Sequence, residues 1–153
     1  MVERPEDAHR RAPDDIPPIG NIKSVCHAYE WEKKFGYPLG KIRAADYYVE
    51  YSHTAFGSHW LIEASRSHLH SQLKQLCASA EFFASKKIQV DNYLVVLDEL
   101  SRRDKQKYRT SEITLKPLKQ IQEKLDNENT REYKIRNKAV FLIYRRDFER
   151  LKK

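Results

Sequence analysis

Turn-forming residues are scarce in this chain, and that scarcity constrains its fold more than any motif does. Its 153 residues include only four Gly and six Pro, and four of the Pro (Pro5, Pro13, Pro17 and Pro18) fall within the first 18 positions. An all-β protein needs many tight turns, so a chain with so little punctuation reads as a few long elements, most simply helices. The length suits one domain and is too short for two stable ones. Hydrophobic residues make up 40%, enough for a core, while 33% charged residues keep the surface solvated.

Residues 1–20 mix proline with charges of both signs and read as a flexible leader. Residues 21–153 then form one helical domain with a basic C-terminal third. The first helix is expected from Ile22 to Phe35, stopped by Gly36 and Pro38. A second spans Gly40 to Phe56, with Tyr47, Tyr48 and Tyr51 as packing residues. The third, from Ser58 to Lys86, carries Leu61, Ile62, Leu69, Leu73, Leu76, Ala80 and Phe83 on one face at helical spacing. Its opposite side is small and weakly polar, as expected of a helix surrounded by neighbours.

Asp91 can cap a fourth helix through Tyr93, Val96, Leu97 and Leu100, although the pair Val95-Val96 also suits a strand. Leu118, Ile121 and Leu125 make a short amphipathic helix. A final helix runs from Thr130 to Leu151, with a strand reading open for the apolar run Ala139 to Tyr144. The expected fold is an all-α single-domain bundle of five or six helices around a long central helix, with α+β as the alternative.

No stretch approaches the roughly 18 uncharged apolar residues of a membrane span. The first residues lack an apolar signal region, which points to the cytoplasm or the nucleus. Cys26 and Cys77 stand alone, outside any paired motif, and read as reduced thiols.

The net charge of +7 is unevenly placed. From Arg102 to Lys153 there are 17 Lys plus Arg against 8 Asp plus Glu, a balance of +9; the preceding residues hold 12 against 14, a balance of −2. On a helical final segment, Arg131, Lys134, Lys138, Arg145 and Lys152 share one side. Such a stripe neutralises phosphates and releases counterions, giving salt-dependent affinity for RNA or DNA. Arg102, Arg103, Lys105, Lys107 and Arg109 extend the patch, and Tyr108 and Tyr133 are placed to stack on unpaired bases.

Chemical constellations are sparse. On a helix, His59, Glu63, Arg66 and His70 project within one sector. Two ligands four residues apart can converge on a metal, but bundle metal sites need Glu-x-x-His pairs from more than one helix. Neither a metal nor a cofactor is therefore expected. An Arg followed by a His on one helix resembles, over that single turn, the pair of the helical HEPN ribonucleases. Arg66 and His70 stand closer together than that family's pair does, so the chain is not assigned to it. The bland account is an ion pair of Glu63 with Arg66, beside histidines at the core edge.

There is no glycine-rich phosphate loop, no Gly-x-Ser-x-Gly and no Cys-x-x-Cys. The leading expectation is a non-catalytic nucleic-acid-binding protein of the kind that serves as an accessory subunit of a nucleoprotein complex. The alternatives are an adaptor that holds a protein partner or itself, and a ribonuclease using Arg66 and His70.

Overall fold

The structure, a computed structural model, describes residues 15–52, 57–64, 69–98, 134–136 and 138–151. Sheet, not helix, organises it. In chain order come β1 (Asn21–His27), a 3-10 turn (Ala28–Glu30), α1 (Trp31–Phe35), β2 (Tyr47–Ser52) and β3 (His59–Glu63). Then follow α2 (Leu69–Ser85), β4 (Asn92–Leu97), β5 (Lys134–Ile135), β6 (Lys138–Tyr144), a second 3-10 turn (Arg145–Asp147) and α3 (Phe148–Leu151). The strand order is β1-β2-β3-β4-β6-β5. β1, β2 and β3 form an antiparallel meander. β3, β4 and β6 run parallel, with α2 as the crossover between the first two, and the short β5 pairs antiparallel with β6.

The all-α bundle is therefore overturned; the fold is α+β, built on a mixed sheet. The first expected helix is β1 followed by two short helical turns, and the second contains β2. The expected central helix splits into β3 and α2, the fourth helix is β4, and the last is β5, β6 and two short turns. The helix expected at 118–125 lies outside the described residues.

The reason lies in burial on both faces. In β4, Tyr93, Val95 and Leu97 face one core while Leu94 and Val96 face the other. In β6, Val140, Leu142 and Tyr144 alternate in the same way with Phe141 and Ile143. A strand covered on both sides has no polar alternation, so its continuous apolar run is indistinguishable by period from a buried helix.

α2 is the layer over the first face. Leu69, Leu73, Leu76, Ala80 and Phe83 are all buried there with Trp31, Tyr37 and Leu61. The second face holds Trp60, Ile62, Val49 and Tyr51, together with Ile16 and Phe148. Ile16 is 1% exposed, and the Tyr51 hydroxyl donates to the Pro17 carbonyl at 2.8 Å. Residues 16 and 17, which the sequence places in the leader, are thus core-lining.

α2 ends in a Schellman turn: Ile88 N–H donates to Phe83 O (2.9 Å) and Lys87 N–H to Ala84 O (3.0 Å). Lys87 adopts φ 58° to close it, a conformation usually left to glycine.

Candidate functional site

The basic stripe does not form on a helix. Lys134 lies in β5, Lys138 in β6 and Arg145 in the turn after β6. Lys138 donates its ammonium to the Val90 carbonyl at 2.7 Å. Arg131, Lys152, Arg102, Arg103, Lys105, Lys107 and Arg109 lie outside the described residues, as do Tyr108 and Tyr133. The helical bundle with a basic helical face is overturned with the fold, since the three described cations of the stripe lie on two strands and a turn.

The His59, Glu63, Arg66 and His70 sector dissolves for the same reason. His59 and Glu63 stand at opposite ends of β3, roughly 13 Å apart at strand rise, and His70 is exposed on the first turn of α2. Arg66 lies outside the described residues. His59 instead belongs to a cluster at the start of β3. There Asp91 Oδ2 accepts the N–H groups of His59 (2.9 Å) and Ser58 (3.0 Å), and Gln89 donates to both its carboxyl oxygens at 3.1 Å.

Glu63 marks the opposite end of the sheet, where β3, β4 and β6 all finish. Open α/β sheets commonly bind ligands at this carboxyl edge. Asp46, just before β2, sits beside it: its Oδ2 accepts Ala64 N–H at 2.7 Å, and its own N–H donates to Ile62 O at 3.0 Å. Ser79 of α2 positions this entry by accepting Ala45 N–H at 2.8 Å.

Glu63 is fully buried, and with its amide turned so that nitrogen faces the two oxygens, Gln75 donates to the Glu63 carboxylate and to Ala44 O at 3.1 Å. Arg145 closes the edge. It donates to the Ala64 carbonyl, to Asp98 Oδ1 (2.7 Å) and to Asp15 Oδ1 (3.3 Å). Tyr47 donates to Asp15 Oδ2 at 2.7 Å, and burial, reinforced by that carboxylate, pushes its phenol well up. Each of these groups is spent on another part of the chain. Among the described residues no three His, Cys, Asp or Glu side chains converge as a metal site. The edge closes the fold.

The open site is elsewhere. A groove of about 820 Å³ runs between β1 and the two helical turns that follow it, lined by Lys23, Ser24, Val25, Tyr29, Glu30, Lys33 and Lys34. β1 is one edge of the sheet. It is exposed from Asn21 to Ser24 and buried from Val25 to His27: Cys26 is covered where α1 folds back over one face of the sheet, and the Val25 side chain packs with Ile16 and Tyr51 on the other. Trp31 anchors that fold-back: it is 0% exposed and its indole N–H donates to Cys26 O at 3.1 Å. Burial lifts the Cys26 thiol to about 11, against the pull of the Lys34 charge.

Gly36, at φ 74°, stops α1 after five residues. That short helix leaves Lys33 and Lys34 exposed at the rim. Lys23 pairs with Glu50 on β2 at 3.2 Å. No ion pair involves Lys33 or Lys34 among the described residues. Glu30, the one acid in the lining, accepts His27 N–H at 2.9 Å. Tyr29, 49% exposed, stacks on His27 with ring centroids 5.3 Å apart, and Ile22 is 38% exposed. The result is a partly apolar channel with a surplus of positive charge.

No family model, curated protein or solved structure matches this chain. The charge distribution along the chain does not point to the groove, because its lysines fall in the near-neutral first two-thirds. The available signal was local: Glu30 to Lys34 holds two adjacent lysines directly before the Gly36 stop.

Proposed function

We propose that this protein is a non-catalytic binding module that takes an anionic partner into the groove along β1. One observation carries the reading: the open groove of about 820 Å³ is lined by three lysines against one carboxylate, and although Lys23 pairs with Glu50, Lys33 and Lys34 stand exposed at the rim with no ion pair among the described residues. Charge of one sign in a concave site raises the local concentration of the opposite sign and speeds its capture. Tyr29, 49% exposed in the lining, adds apolar contact area, as an interface core uses. No helix among the described residues is long and apolar enough to cross a membrane.

Nucleic acid enters this proposal as one class of anionic partner. Its support is the charge count of residues 102–153, +9 by composition, and the groove lysines add a described anchoring point to it. An acidic protein partner is the other class.

The test is charge reversal at the rim. Lys33→Glu with Lys34→Glu sits on an exposed short helix and should leave the unfolding midpoint unchanged. Binding to polyglutamate and to a single-stranded oligonucleotide should be measured at low and high salt. The proposal expects at least one of them to bind in a salt-sensitive way, with affinity falling about tenfold in the double variant. Equal binding by both proteins would remove the groove from the function.

A further inference from the structure

Among the described residues no strand pairs with the outer edge of β1, and that edge adds a second kind of recognition to the groove's charge. Ala28 N–H donates to Asp46 O, and the register pairs Ser24 with Glu50, Val25 with Val49, Cys26 with Tyr48 and His27 with Tyr47. In an antiparallel ladder successive residues turn their N–H and C=O alternately toward and away from the partner strand. Ala28 faces β2, so His27 and Val25 turn theirs outward. The His27 N–H confirms the alternation, since it is taken by Glu30 on the groove side. Val25 therefore presents its backbone donor and acceptor to the groove, between Lys23 on one side and Lys33 and Lys34 on the other.

An edge of this kind pairs readily with another extended chain. A second copy of β1 is a poor occupant. Antiparallel pairing of two such edges centred on Val25 would bring the two lysine sets together, and like charges placed opposite are destabilising. The register shift between Ile22 and Ser24 also interrupts the edge, and a bulge at an edge limits continuous pairing. A short segment with carboxylates flanking one or two extended residues meets both conditions.

We infer that the occupant of the groove is an acidic peptide segment, which docks extended against β1. It exchanges a reciprocal pair of backbone hydrogen bonds with Val25 and places carboxylates against Lys33 and Lys34. This inference rests on the groove being the binding site. It adds the partner class and the mode of docking.

The experiment uses the full chain and fluorescence polarisation with a labelled seven-residue peptide alternating acidic and β-branched residues. Two peptide controls are the same sequence N-methylated at alternate positions along one edge, in both registers, and the sequence with every acid replaced by its amide. A single-stranded oligonucleotide is run alongside. The inference expects the acidic peptide to bind, and the amide peptide and one N-methyl register to lose about tenfold or more. It also expects Lys33→Glu with Lys34→Glu to lose a similar factor, and the Val25 amide to gain hydrogen-exchange protection when peptide is added.

If the acidic peptide binds through the lysines but both N-methyl registers bind equally well, strand addition is overturned and the anionic groove stands. If the oligonucleotide alone binds, and through Lys33 and Lys34, the peptide class is overturned and the groove again stands. If neither ligand responds to the lysine reversals, both readings fall.

Discussion

Asp91 shows how much of this fold turns on single polar atoms. One carboxylate oxygen holds the backbone of Ser58 and His59, and so fixes where β3 begins beside β4. The site is tight: a Cβ on Gly57, which has φ 107°, would lie 2.8 Å from Asp91 Cβ. Burial alone would raise the Asp91 carboxyl, but the donors from His59, Gln89 and Ser58 outweigh it and hold the group below its ordinary value of 3.8. A carboxyl lowered on folding contributes stability that is complete above the unfolded value. That contribution is lost as pH falls through the lower, folded one. Urea unfolding followed from about pH 5 downward should therefore show less acid sensitivity in Asp91→Asn than in the parent. An unchanged acid profile would mean the cluster does not titrate as its hydrogen bonds require.

Among the elements, α2 was legible and the central strands were not. Leu69, Leu73, Leu76, Ala80 and Phe83 recur at helical spacing and do line the buried face of a helix. Leu61 and Ile62 fit the same wheel by accident, yet as neighbours in β3 they point to opposite cores. Residues 93–97 and 139–144 are apolar throughout because both their faces are covered, which erases the period that would have identified them. The carboxyl edge was illegible for another reason. Asp15 and Arg145, which meet there, are 130 positions apart in sequence, and only the sheet order brings them together. Of that site, the sequence marks Glu63, Arg145 and Tyr47, but each in a different role: Glu63 beside Arg66, Arg145 in a basic stripe and Tyr47 in helix packing.

The end of α2 gives the prediction that belongs to this scale. Lys87 holds a left-handed backbone at φ 58°, which costs an L-residue roughly 1–2 kcal/mol and glycine almost nothing. After glycine's extra chain entropy is subtracted, Lys87→Gly should stabilise the protein by up to about 1 kcal/mol. A higher urea midpoint at unchanged slope is the expected reading.

For the whole molecule, Arg145 is the clasp. It joins the residue after β3, the residue after β4 and the segment before β1. Arg145→Ala removes one donor each from the Ala64 carbonyl, Asp98 and Asp15, and should cost about 1–3 kcal/mol in chemical denaturation. Its neighbour is the control. Arg146 is exposed and lies over the Tyr144 ring at 4.3 Å, so Arg146→Ala should stay within about 0.5 kcal/mol of the parent. Equal losses in the two variants would show that Arg145 closes nothing.

The placement of β6 between β4 and β5 reaches beyond the finished molecule, to its birth on the ribosome. β4 emerges first, and its only partner on that side is a strand whose first residue, Lys138, lies 41 positions after Leu97. At bacterial to eukaryotic translation speeds of about 5–20 residues per second, that interval lasts on the order of seconds. Throughout it, Tyr93–Leu97 lacks the strand that pairs with its β6 side in the finished sheet, and such an edge can pair with another strand. The yield of folded protein in a cell is thus governed by a race between elongation and aggregation. Slowing translation after β4, or removing the chaperones that shield such edges, tips that race toward loss.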